Sequence, residues 1–117
     1  MEEHLFQLVD TYLDCPVVWG HFPEGQSLPR ATLTRISGVR DMTINSLGLM
    51  TTQVQIDIFG ESFEETIGAS RSIRSVLEGY RGGPILLAAL TAVRDGIEDD
   101  AKLAHRVSLT FSIKHRD

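Results

Sequence analysis

The sequence predicts an α+β fold: a single small, mainly antiparallel β-sheet with two α-helices packed on one of its faces. Three observations predict it. Residues 2–14 and 63–77 repeat apolar side chains at helical spacing, while residues 53–58 and 105–113 alternate apolar and polar at the period of two that marks a half-buried strand. The order of these segments, helix and strands followed by helix and strands, suits two helices covering one side of a sheet.

The first helix takes residues 2–14, because Leu5, Leu8, Val9, Tyr12 and Leu13 form one apolar stripe. Glu2 and Glu3 suit the positive end of its dipole, and Asp14-Cys15-Pro16 closes it, since a residue before proline is pushed out of the helical region. Val17, Val18 and Trp19 read as a short strand. Gly20, Pro23, Gly25, Ser27 and Pro29 then make residues 20–30 an irregular connection, pinned by Phe22 and Leu28. Residues 31–37 read as a strand with Thr32, Thr34 and Ile36 on one face and Leu33 and Arg35 on the other, ended by Ser37-Gly38. A protruding loop is expected over residues 39–47, with the turn residues Asn45, Ser46 and Gly48 joining two strands of an antiparallel hairpin.

The stretch from Gly48 to Tyr80 organises the chain. Val54, Ile56 and Ile58 face the core while Gln53, Gln55 and Asp57 face away, and Gly60 breaks the run. Ser62 with Glu65 three residues on is a capping box at a helix start. Phe63, Ile67, Ser70, Ile73 and Leu77 form the inward stripe of that helix, with Glu64, Arg71, Arg74 and Glu78 toward water, and Gly79 and Gly82-Gly83 stop it. Residues 84–93 have two readings. Leu- and Ala-rich composition after Pro84 favours helix, whereas the flanking Gly82-Gly83 and Asp95-Gly96 are also strand-end signals. Over residues 105–113 Val107, Leu109, Phe111 and Ile113 point in, and Arg106, Ser108, Thr110 and Ser112 point out.

No repeat or change of composition divides the 117 residues, so one domain spanning 1–117 is expected. A net charge of −5 with no basic tract argues against a general nucleic-acid binder. Cys15 is the single cysteine, which allows no internal disulfide. Met1-Glu2-Glu3-His4 lacks a basic leader and no apolar run approaches membrane length, so neither export nor membrane insertion is expected. The four histidines, His4, His21, His105 and His115, lack metal-ligand spacing and are expected at surface or loop positions. Cys15 reads as a buried helix-end residue, Asp95 with Glu98, Asp99 and Asp100 as a solvated acidic turn, and residues 79–83 as a helix stop rather than a phosphate loop. No catalytic, cofactor-binding or metal-binding constellation stands out.

Several pieces together resemble one family. Phe22-Pro23-Glu24-Gly25 with Leu28-Pro29, Arg35-Ile36-Ser37-Gly38 with Arg40-Asp41, the strand Val54 to Phe59, Leu77-Glu78-Gly79-Tyr80-Arg81-Gly82, and the ending Arg106 to Arg116 resemble, in order and spacing, the tail-completion or tail-terminator proteins of long-tailed phages and related gene transfer agents. The resemblance covers nearly the whole chain. It implies a structural virion protein, not an enzyme, that needs no cofactor. Such a protein is assembled in the host cytoplasm and forms a hexameric ring of copies of itself at the head-tail junction. The ring caps the tail tube, meets the tail tube protein and a head-completion or connector protein, and lets DNA pass through its lumen without specific binding. The resemblance also implies that residues 84–93 are a strand, giving about four strands plus the hairpin loop.

A closed ring needs two different patches on each subunit. The outward side chains Gln53, Gln55 and Asp57, with Arg106, Ser108 and Thr110, are the candidate subunit interface, and Arg40, Asp41 and Met42 the candidate contact with tail or head. The acidic balance suggests a lumen that repels phosphates. The competing reading is a small α+β ligand-binding or regulatory module that oligomerises, which requires an enclosed apolar pocket.

Overall fold

The computed structural model describes residues 1–13, 15–20, 30–40, 49–97 and 105–116. In chain order they form α1 (Glu2–Tyr12), β1 (Val17–Trp19), β2 (Arg30–Arg40), β3 (Leu49–Gly60), α2 (Phe63–Leu77), β4 (Ile85–Ile97) and β5 (His105–Arg116). The five strands make one mixed sheet in the order β1-β2-β3-β5-β4. β1 joins parallel to β2, and the remaining neighbours are antiparallel. Since β3 and β4 both run against β5, they are parallel to each other, and α2 is the crossover that carries the chain over the place β5 later fills.

Both helices lie on one face. Leu5 and Val9 of α1 and Ile73 and Leu77 of α2 bury their stripes against Leu33, Val54, Ile56, Leu109 and Phe111 in one core cluster. At roughly 25 cal/mol per Å² of apolar surface removed from water, this shared layer is the main favourable contribution to folding. The other sheet face carries no helix among the described residues.

Residues 84–93 are strand despite their helix propensity. Ala88 lies opposite Ile113 and Leu90 opposite Phe111, so the segment extends the apolar face of β5, and packing overrides local preference. The outer edge of β4 is partly covered by the chain leaving α2: Gly79 N–H donates to the Ala88 carbonyl at 2.8 Å, and Ala88 N–H to the Tyr80 carbonyl at 3.0 Å. Gly79 adopts a φ of 77° to make that exit. Backbone groups that would template another strand are thereby satisfied within the chain.

Several expected boundaries move: α1 ends at Tyr12, β4 runs to Ile97 and β5 to Arg116. β2 does not end at Ser37-Gly38 but runs to Arg40, because an irregularity between Arg35 and Ser37 absorbs one residue and pairing with β3 then resumes to Arg40 opposite Met50. Arg40 is therefore a strand residue, and Asp41 and Met42 lie outside the described residues, as do residues 21–29 and the acidic Glu98, Asp99 and Asp100. The start of α2 is also built differently. Ser62 Oγ accepts from Glu65 N–H at 3.2 Å as expected, but Glu65 Oε1 accepts from Glu61 N–H at 3.3 Å rather than from Ser62. Thr66, not Phe63, enters the core side of the first turn. Phe63 is 53% exposed.

Gly60 marks where β3 meets that turn. A Cβ at Gly60 would sit 2.8 Å from both Glu65 Oε1 and Thr66 Cγ2. Thr66 has little room to yield, since its hydroxyl donates to the carbonyl oxygens of Ser62 and Phe63. Gly60→Val is expected to destabilise the fold by about 1–3 kcal/mol, read as a lowered thermal midpoint, and Thr66→Ala in the same chain should return part of the loss.

Candidate functional site

The polar side of the sheet gathers the candidate interface residues. Alternation places Gln53, Gln55 and Asp57 of β3 opposite Ser112, Thr110 and Ser108 of β5, on the face away from the helices. Gln53, Gln55, Arg106, Ser108 and Thr110 line one open depression of about 410 Å³, completed by Ile36 from β2 and by Thr91, Ala92 and Arg94 from β4. Arg94 was not singled out in the sequence. It lies here because it pairs with Ser108 across β4 and β5.

Asp57 and Ser108 differ from the other four. Asp57 is 8% exposed and Ser108, at the floor of the depression, is also buried, so neither side chain is freely hydrated. The Ser108 hydroxyl donates to the Asp57 carboxylate. Gln55 Nε2 donates to both oxygens of the same carboxylate, at 3.0 and 2.9 Å. Three donor contacts compensate the desolvation of the carboxylate and orient the Gln55 amide. The groups left facing outward are those of Gln53, Thr110, Arg94 and Arg106.

Charge on this face is positive. By strand alternation it holds Arg94, Arg106 and Lys114, and Arg30 lies over the Phe59 ring at 5.1 Å. Asp57 is the only carboxylate that alternation places on this face among the described strand residues. A protein of net charge −5 thus presents a sheet face on which, among the described strand residues, basic side chains outnumber the single carboxylate Asp57.

The histidines divide. His115, expected at the surface, is buried in β5: its Nε2 lies 2.7 Å from the Thr52 hydroxyl and its Nδ1 2.9 Å from the Arg116 carbonyl. With Nδ1–H donating to the carbonyl, Nε2 accepts from Thr52, and every polar atom of the ring is satisfied. The signal was present, since the period-two run Val107 to Ile113 reaches His115 one step later. His4 is half-buried, with Nε2 2.8 Å from the Tyr80 hydroxyl, linking α1 to the exit of α2. His105 opens β5, and His21 lies outside the described residues. Cys15 is half-buried just after α1.

Toward the β1 side of the sheet, Arg35 Nη2 donates to Glu2 Oε1 at 2.7 Å, tying α1 to β2. Burial raises the Glu2 pKa, but its own backbone N–H, the nearby N-terminal ammonium and Arg35 together lower it further, leaving it below the usual carboxylate range. A lowered folded-state pKa gives stability that is present above the unfolded value and is lost as pH falls through the folded one. The pair is exposed to solvent, which keeps its contribution within about 1 kcal/mol.

No three His, Cys, Asp or Glu side chains among the described residues come together as a metal site. No described helix is long and apolar enough to cross a membrane. No protein-family model matches the chain, and no curated protein matches its sequence. The fold does have a solved counterpart. A chain from the virion of a native gene transfer agent particle superposes with a TM-score of 0.60 at 16% identity, over 97% of this chain and 84% of that one. At that identity the likeness establishes a shared fold and nothing about residue roles.

Proposed function

We propose that this chain is a non-enzymatic structural component of a virion of the phage or gene-transfer-agent type, and that it caps the tail tube as a hexameric ring to which the filled head joins. The observation that supports the reading is that nearly the whole chain shares its fold with a chain of a gene transfer agent virion. Its partners under this reading are other copies of itself, the tail tube protein and a head-completion or connector protein, with DNA passing through the lumen. The one-sided architecture agrees with it. Helices seal one sheet face, while the other keeps an open polar depression, a surface suited to a subunit contact rather than to enclosing a small molecule.

Mass measurement in solution with negative-stain imaging tests the reading. Annular particles with six times the mass of one chain are expected. A chain that stays monomeric at every concentration would overturn the ring, and one that also holds a metabolite tightly would instead identify a ligand-binding module.

A further inference from the structure

We propose that the basic sheet face is the seat for the acidic first turn of α2 from a neighbouring copy of the same chain. The proposal rests on the reading of the chain as a ring subunit and names the two patches that meet.

The seat is the depression whose rim carries Arg94 and Arg106 and whose apolar part is Ile36 and Ala92. The neighbouring carboxylate, Asp57, is buried against Ser108 and Gln55 rather than lining the depression, and two guanidinium groups outnumber it, so the rim is cationic. An isolated Ile36 at 51% exposure would be unremarked on a surface, but here it lies within a depression bordered by two guanidinium groups. That combination fits an apolar side chain flanked by carboxylates.

The same chain presents such a group. Phe63, 53% exposed, stands at the start of α2 with Glu61 and Glu64 exposed beside it. Helix capping does not explain these three, because Ser62 and Glu65 perform it. The two patches are on opposite sides of the sheet, since α2 covers the face that the depression turns away from. A contact between different patches on opposite sides is heterologous, and repetition of it produces a ring when the rotation closes. Duplex DNA is the other polyanion with charge suited to the seat, but phosphates have no use for Ile36 and Ala92, and an apolar centre with a charged rim is how protein contacts are built.

Charge reversal with mixing tests this. One variant carries Arg94→Glu and Arg106→Glu, leaving both patches negative. The other carries Glu61→Lys and Glu64→Lys, leaving both positive. All four positions are exposed, and neither cap residue changes. Each variant alone is expected to stay unassembled, and an equimolar mixture to recover particles of wild-type mass in which the two alternate. Assembly of either variant alone, or a mixture of folded variants that stays unassembled, overturns the proposal.

If a reversed variant does not fold, Arg94→Gln with Arg106→Gln carries the test. It should raise the concentration for half-assembly by roughly tenfold and flatten its salt dependence, because screening already weakens exposed charge contacts; an unchanged value overturns the proposal. Loss of binding to a 30-base-pair duplex with assembly intact would assign the face to nucleic acid instead. Wild-type rings indifferent to every substitution overturn this inference alone, whereas a wild-type chain that never assembles overturns the ring reading as well.

Discussion

Val54→Asp is expected to abolish the folded state. Val54 is fully buried on β3, between Arg35 of β2 and Phe111 of β5 in the sheet register. A carboxylate there loses its hydration in a layer built by Leu5, Val9, Ile73 and Leu77 of the helices, and the neighbouring Arg35 is already engaged by Glu2 at 2.7 Å. Ionised, it is an unpaired buried charge; protonated, it still lacks partners for its hydroxyl and carbonyl. Either form costs several kcal/mol, against a total stability of about 5–15 kcal/mol for a typical domain. Gln55→Arg, one position along on the other face, should shift stability by no more than about 0.5 kcal/mol, because the depression is open and the long side chain still reaches Asp57. Circular dichroism during thermal unfolding separates the two. A Val54→Asp chain that melts cooperatively near the wild-type temperature would mean that the faces of β3 are the reverse of those described.

Phe111→Ala has the second largest expected effect. Phe111 is the largest of the fully buried side chains, and it lies on β5 between Val54 of β3 and Leu90 of β4. Truncation removes apolar burial and leaves a cavity that neighbours on both strands are held from closing by their backbone ladders. The expected loss is about 3–5 kcal/mol. In urea that corresponds to a midpoint lower by roughly 2 M. Ser112→Ala, adjacent but on the polar face, serves as the control and should change little. A loss below about 1 kcal/mol for Phe111→Ala would show that the site collapses freely, which is incompatible with a closely packed centre at β5.

These two experiments probe the part of the architecture that local pattern already encodes. Alternation along Val54-Ile56-Ile58 and along Val107-Leu109-Phe111-Ile113 identified the buried faces, because successive residues of an extended chain must point to opposite sides. The same rule puts Gln53, Gln55, Asp57, Arg106, Ser108 and Thr110 on the polar side of their strands without reference to sheet neighbours. Burial then divides this set, since Asp57 and Ser108 satisfy each other across two strands that are 51 residues apart in sequence. Phe63 shows the corresponding limit in a helix. Spacing placed it on the apolar stripe, yet it sits in the first turn, beyond the sheet surface that Thr66, Ser70, Ile73 and Leu77 cover. The length of β2 was hidden for a similar reason: Ser37 and Gly38 resemble a strand end, and only pairing with β3 carries the strand on to Arg40.

Periodicity and capping chemistry were enough to establish the α+β class, both helices and the inward faces of β3 and β5. Strand order, the placing of β5 between β3 and β4, the burial of His115 and the basic depression with Arg94 beside Arg106 came from tertiary structure alone, and at β4, where local propensity favours helix, packing against β5 decided for strand. The reason is physical: a strand's own residues specify which side is apolar, but its neighbour is selected by contacts with chain segments far away in sequence. A surface charge pattern exists only once those neighbours are in place.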